Sequence, residues 1–135
     1  MQVLLTKWMV RFVRRENISH ASLCEAIVRA EQGLIDADLG GGLIKQRVAR
    51  AGKGRSAGYR AILGYRRADR AIFLFGFAKS ERENIGPDEL KTVREIAAIL
   101  MPADARRIAL GIQEGELEEV PYGNEEIEQS GRGAP

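Results

Sequence analysis

A chain of 135 residues has the length of one domain. At 44% hydrophobic and 30% charged residues it has an ordinary globular composition, and a chain of this size buries roughly two thirds of its unfolded surface, enough for a real core. No run approaches the ~20 apolar residues of a membrane span. The start, MQVLLTKWMVRFVRRE, lacks the basic, apolar, small order of a signal peptide. The single cysteine excludes an internal disulfide, one Cys with one His excludes a Cys/His zinc site within the chain, and a reducing cytoplasm is the expected setting.

The elements are predicted in chain order as follows. Residues 3–5 form a short strand, and Thr6 caps a helix with Trp8, Met9, Phe12 and Val13 on one face. Asn17 interrupts it. Ser19 caps a second helix, or Ser22 and Glu25 form a capping box if that helix starts later. Its apolar stripe is read at Cys24, Ile27 and Val28, with Gly33 as its stop and Cys24 a packed thiol. The pair is expected as two antiparallel helices joined by a short turn. Residues 36–42, DADLGGG, read as a loop or irregular strand; no Lys-Ser/Thr pair follows the glycines, so a connector is favoured over a nucleotide loop.

Residues 44–49 alternate, with Ile44, Gln46 and Val48 on one face and Lys45, Arg47 and Ala49 on the other. Residues 50–58 are rich in Gly, Lys, Arg and Ser and predict an exposed loop. The next strand, residues 59–66, places Tyr59, Ala61, Leu63 and Tyr65 on one face and Arg60, Ile62, Gly64 and Arg66 on the other. After a tight turn at 67–69, residues 71–78, AIFLFGFA, are apolar on both faces and predict a central strand, the third of an antiparallel meander. Pro87, Asp88 and Glu89 suit the first turn of a helix whose stripe is Leu90, Val93, Ile96, Ala97 and Leu100, and Pro102 stops it. A weaker helix over 103–113 and a short strand over 116–120 follow. The fold class is α+β: a small, mainly antiparallel sheet against two N-terminal helices, with the later helix beside it. One domain is expected over residues 1–120, with a disordered tail over 121–135.

Charge is distributed far less evenly than the net +2 suggests. Residues 45–82 hold eleven Lys or Arg against Asp69 and Glu81, the first 44 residues balance, and residues 83–135 hold five basic against twelve acidic residues. A basic stretch on a rigid scaffold points to a polyanion, most often nucleic acid, and these cations are expected on one continuous surface. Gly52, Gly54 and Gly58 let backbone N–H groups approach a phosphate, Ser56 adds a donor, and Arg60 projects from the strand that follows. Lys79 and Arg82 sit where the central strand leads to the next helix. Tyr59 and Tyr65 are candidates to stack on bases, although their shared apolar face favours core packing.

Two motifs, RAGKGRSAGYR over residues 50–60 and GFAKSERENI over residues 76–85, together with the lead-in LCEAIVRAEQGLIDADLGGGLIKQRVAR, resemble the RelE/HigB toxins of bacterial type II toxin–antitoxin modules, within the RelE/ParE superfamily. The resemblance covers roughly residues 3–120. It implies a small sheet-and-helix protein that enters the ribosome and cuts messenger RNA as an endoribonuclease, with no cofactor. The ribose 2′-hydroxyl would attack the adjacent phosphate. Such a step needs a base, positive charge for the developing phosphorane and an acid for the leaving 5′-oxygen. On the resemblance Lys45, Arg47, Lys53 and Arg55 fall where family members place RNA-contacting and base-like cations, Arg60 at the phosphate-stabilising arginine, and Lys79 and Arg82 at a second basic cluster bordering the site; Lys53, Arg55, Arg60, Lys79 and Arg82 are the catalytic candidates, and Arg50, Ser56 and Tyr59 are further RNA-binding candidates beside Lys45 and Arg47. It also implies a cognate antitoxin, expected to be a small DNA-binding protein, and mRNA on the ribosome as partners. The aromatic or histidine that family members often carry near the last helix has no counterpart in Ile85-Gly86-Pro87, and His20 lies in the helical lead-in. A crowded lysine is then the base. The alternatives are a ParE-like toxin acting on a protein such as DNA gyrase, or a non-toxic basic RNA-binding module.

Overall fold

The computed structural model describes residues 1–50 and 54–123, with the side chains of 54–56 outside the description. Strand β1 (Gln2–Thr6) runs directly into helix α1 (Lys7–Glu16), because Thr6 Oγ1 accepts the Met9 N–H at 3.3 Å and so caps the helix. Asn17 ends α1 in a left-handed conformation with φ 55°. Ser19 Oγ accepts the Ser22 N–H at 3.1 Å and starts α2 (His20–Glu31). The helix therefore begins before Ser22, and the alternative capping box at Ser22 and Glu25 does not form. Gly33 follows its end with φ 83°.

The buried side of α2 is Leu23, Ala26, Ile27 and Ala30. The stripe read at Cys24, Ile27 and Val28 is thus rotated: Val28 is 42% exposed and Cys24 sits at the margin, its thiol on the Pro121 carbonyl at 3.3 Å. Small alanines at 26 and 30 bring the helix close to the sheet. They also leave room for buried Gln46, whose amide reaches the Ala26 carbonyl at 3.0 Å.

The remaining elements are β2 (Ala37–Gly40), β3 (Leu43–Arg50), β4 (Gly54–Arg66), β5 (Arg70–Ala78), α3 (Pro87–Leu100), α4 (Ala105–Gln113) and β6 (Leu117–Val120). They form one sheet in the order β2-β3-β4-β5-β1-β6. The run β2 to β5 is antiparallel, β1 lies parallel to β5, and β6 closes the edge antiparallel to β1. The class is α+β, as the sequence predicts. Glycines 40, 41 and 42 all take positive φ (81°, 63° and 81°) and turn the chain from β2 to β3, which accounts for the triple glycine without a nucleotide.

The expected loop over residues 50–58 is a correction. Strand β3 continues to Arg50, β4 already begins at Gly54, and Arg50 and Gly54 are register partners. The glycine-rich composition signals a loop, but cross-strand pairing claims the backbone, and the Lys79 N–H donates to the Gly58 carbonyl at 3.1 Å. Only residues 51–53 lie between the strands.

Each face of the sheet has its own core. On one, Met9, Phe12 and Val13 of α1 and the buried side of α2 cover Val3, Leu5, Ile44, Val48, Tyr59, Ala61, Leu63 and Phe73. On the other, Val93 and Ala97 of α3 and Ile108 of α4 cover Leu4, Leu43, Ile62, Ile72 and Leu74. The later helix therefore lies on the face opposite the N-terminal pair. Strand β5, buried throughout, is the shared floor. Its register against β4 shifts between Ile62 and Leu63, so that Leu74 is added and Phe75 and Phe77 join Ile72 on the α3 side.

Candidate nucleic-acid interface

Strand register brings the cations together. Arg47 of β3 lies opposite Arg60 of β4, and Arg60 opposite Phe77 of β5; in the next row Lys45 lies opposite Ile62, and Ile62 opposite Phe75. Side chains alternate, so Lys45, Arg47, Arg60, Phe75 and Phe77 all share the α3 face.

The connection from β5 to α3 folds over this row. Arg82 places its guanidinium carbon 5.6 Å and 5.5 Å from the ring centroids of Phe75 and Phe77. The Lys45 ammonium donates to Asn84 Oδ1 at 3.4 Å, and the Lys79 ammonium to Glu83 Oε2 at 2.8 Å. The hydrogen bond from Lys79 is the main reason the Glu83 carboxyl is held below its ordinary range, and the charge of Arg60 adds to it. Glu83 is therefore the local counter-ion for both cations.

Arg60 is half-buried, with Nη1 donating to the Tyr59 carbonyl at 3.4 Å. Its pKa is lowered first by desolvation and next by the positive charge of Arg47. Two guanidinium groups facing each other across strands repel, and an anion seated between them relieves that repulsion. Asp36 already does so for Arg47: its Oδ1 accepts Nε at 3.1 Å and Nη2 at 3.0 Å. Its Oδ2 accepts the Arg47 N–H at 2.7 Å and Arg29 Nη1 at 3.0 Å. Burial pushes the Asp36 carboxyl up, and these donors more than reverse the effect, so its pKa is lowered overall.

Of the candidate residues, Lys45, Arg47, Arg60, Lys79 and Arg82 therefore meet on one face. Lys53 and the side chains of the candidates Arg55 and Ser56 lie outside the description. Two others fall on the opposite face. Tyr59 is 3% exposed, packs edge-to-face on Phe12 at 5.7 Å and belongs to the α1–α2 core, so its ring offers no stacking surface. The Arg50 guanidinium sits 5.6 Å from the Tyr59 ring centroid and so follows it to that side. Nor is the basic stretch one continuous surface: Arg66 and Arg70 lie at the far end of β4 and β5, where Arg70 is 8% exposed and bonded to backbone carbonyls.

The acidic partners Asp36, Glu83 and Glu89 and the rings of Phe75 and Phe77 are members of the site that the sequence reading passed over. The alternation of β4 was a usable signal for Arg60, but the bulge that turns Phe75 and Phe77 to the same face has no sequence marker. Among the described residues no group of three or more His, Cys, Asp or Glu side chains is placed to hold a metal ion, and no helix is long and apolar enough to cross a membrane. A family model described as "RelE toxin of RelE / RelB toxin-antitoxin system" matches residues 1–120. No curated protein gives a significant match.

Proposed function

The chain belongs to the RelE toxin family of RelE/RelB toxin–antitoxin systems, and on that premise we propose that it is a ribosome-dependent mRNA endoribonuclease whose RNA-contacting surface is the Arg47–Arg60 pair with Lys45, Lys79 and Arg82 around it. A RelE toxin has a cognate RelB-type antitoxin; the antitoxin is read here as a small DNA-binding protein that covers this surface with acidic groups. The observation that carries the proposal is the convergence of five cations from β3, β4 and the β5–α3 connection onto one side of the sheet.

In the reaction the 2′-oxygen forms a bond to phosphorus, the bond from phosphorus to the 5′-oxygen breaks, and the products are a cyclic phosphate and a 5′-hydroxyl. The 2′-hydroxyl proton leaves to a base and the 5′-oxygen gains one from an acid. Arg60 suits the non-bridging phosphate oxygens, because its planar fork donates two bonds and its base is fixed in a paired strand. Its partial desolvation makes the developing charge worth more there than in water. Lys79 and Lys45, held by the Glu83 and Asn84 side chains, exchange those partners for phosphates.

The test is induced expression in a bacterial host with primer-extension mapping of a translated and an untranslated message. Cuts confined to the translated message support the proposal, and the Arg60→Ala protein should bind ribosomes but leave the message intact. Full growth arrest with no cuts would move the reading to a protein target such as DNA gyrase, and unchanged cutting by folded Arg60→Ala would remove Arg60 from the mechanism.

A further inference from the structure

We propose that Arg82 is a stacking platform for an unpaired nucleobase and not a phosphate contact. The inference rests on the RNA-contacting reading of this face. Arg82 differs from its neighbours in how its donors are used. Nε donates to the Asn84 carbonyl at 3.0 Å, Nη1 donates to Glu89 Oε2 at 3.2 Å, and Nη2 donates to Glu89 Oε1. Every nitrogen of the guanidinium is therefore engaged along its edge. Glu89 is itself fixed, since Oε1 also accepts the Gly86 N–H at 2.8 Å in the first turn of α3. The carboxylate is the mutual neutraliser: its hydrogen bond from Arg82 is the leading reason its own pKa is lowered, and the same bond raises that of Arg82.

A phosphate would have to displace a bidentate, backbone-anchored carboxylate to reach these donors. The lysines of the site face no such competitor. The faces of the guanidinium are another matter. One lies over Phe75 and Phe77. The side chain is nevertheless 37% exposed, so it stays open to a ligand while its nitrogens are hydrogen-bonded and the rings lie beneath it. A flat, edge-pinned guanidinium backed by two aromatic rings is a surface on which a base stacks, in the manner by which unstacked RNA bases are held on arginine planes and aromatic side chains. The Arg60 row lies against the same Phe77, so a base on Arg82 belongs to a nucleotide flanking the phosphate at Arg60. Residues that grip a base here select the nucleotide beside the cut, purines over pyrimidines, because the larger ring overlaps more of the plane.

The experiment uses the full chain and a short single-stranded RNA carrying a fluorescent purine analogue, titrated at several salt concentrations, with a thermal melt of each variant. Stacking predicts that Arg82→Lys, which keeps the charge and loses the plane, weakens binding as much as Arg82→Ala, roughly ten-fold or more. Arg82→Tyr keeps the affinity and the quenching of the analogue. The slope of log affinity against log salt is unchanged in all three, because no phosphate is released from contact. The inference is overturned if Arg82→Lys binds like the wild type while Arg82→Tyr does not, with the Arg82→Ala slope shallower by about 0.7. In that outcome Arg82 is a phosphate contact and the RNA reading of the face survives. A wild-type protein that binds the RNA without salt dependence and cuts no translated message overturns both.

Discussion

The two ends of the β4–β5 hairpin carry arginines from the same basic stretch and use them differently. At the turn end, Arg70 Nη1 donates to the carbonyls of Leu100, Met101 and Ala103 at 3.1, 3.0 and 2.6 Å, and Arg66 Nη2 to Met101 at 3.0 Å. The Leu100 and Met101 carbonyls close α3 and that of Ala103 lies just beyond it; the helix has no basic residue in its last turn, and the sheet supplies the missing charge. At the other end, Arg47, Lys79 and Arg82 answer to the side chains of Asp36, Glu83 and Glu89. Backbone carbonyls in a helix end cannot move without unfolding it. An exposed carboxylate such as Glu83 swings away at little cost. The first arrangement is structure, and a pair such as Lys79–Glu83 in the second leaves a cation available to an incoming polyanion.

Exchanging the roles of Arg60 and Arg70 breaks this comparison most directly. Arg60→Ala is expected to lower the message-cleavage rate by about 10²–10³, the cost of losing one preorganised donor, while its melting temperature stays within about 2 °C of wild type because the side chain leaves no buried helix end unpaired. Arg70→Met should do the reverse. It strips three carbonyls of a charged donor inside the fold, at a cost of about 3 kcal/mol, read as a drop of roughly 10 °C in a thermal melt. Cleavage per folded molecule should be unchanged. If Arg70→Met loses cleavage while staying folded, the turn end also takes part in function.

Asp36 joins the two behaviours, since it holds buried Arg29 and the site residue Arg47 with one carboxylate. Asp36→Asn should cost about 2 kcal/mol at neutral pH. The pH dependence follows from the depressed carboxyl. A group whose folded pKa lies below its ordinary 3.8 contributes stability that is complete above that value and is lost as pH falls through the folded pKa. The gap between wild type and Asp36→Asn in denaturant midpoint should therefore be constant from neutral pH down to about 5 and close below about 4. A gap that closes instead between pH 6 and 8 would assign the effect to another group.

Much of this organisation was legible because it is local. Thr6, Ser19 and Pro87 set helix starts through their own side chains and rings, the alternation of residues 44–49 and 59–66 sorted core from site side chains along those parts of β3 and β4, and the doubly apolar run at 71–78 marked the strand that both cores share. What stayed hidden depends on partners distant in sequence. A run of cations does not say which end of a strand each one occupies, so Arg66 and Arg70 were counted with Arg60. Glycine-rich residues 54–58 look like a loop until β3 supplies hydrogen-bond partners. The rotation of α2 follows from small alanines meeting the sheet, which a stripe of larger residues does not reveal. In the sequence Glu83 is background acidity and Glu89 a helix-start residue, and in the fold both are immediate counter-ions of the site.

The smallest expected effect tests which face of β3 meets RNA. Arg50 and Lys45 lie on one strand, but Lys45 reaches Asn84 beside the Arg60 row while Arg50 lies over Tyr59 on the α1 side. An exposed cation–π contact is worth about 0.5–1 kcal/mol, so Arg50→Ala should lower the melting temperature by roughly 2–3 °C. It should leave the cleavage rate and the salt dependence of RNA binding as they are. Lys45→Ala should do the opposite, with no measurable change in stability and a salt slope shallower by about 0.7, the signature of one fewer phosphate neutralised on a single strand. The two variants carry the same loss of charge, so long-range attraction affects both alike and only direct contact separates them. If Arg50→Ala flattens the slope as much as Lys45→Ala, the RNA wraps around the end of the hairpin and both faces of β3 belong to the interface.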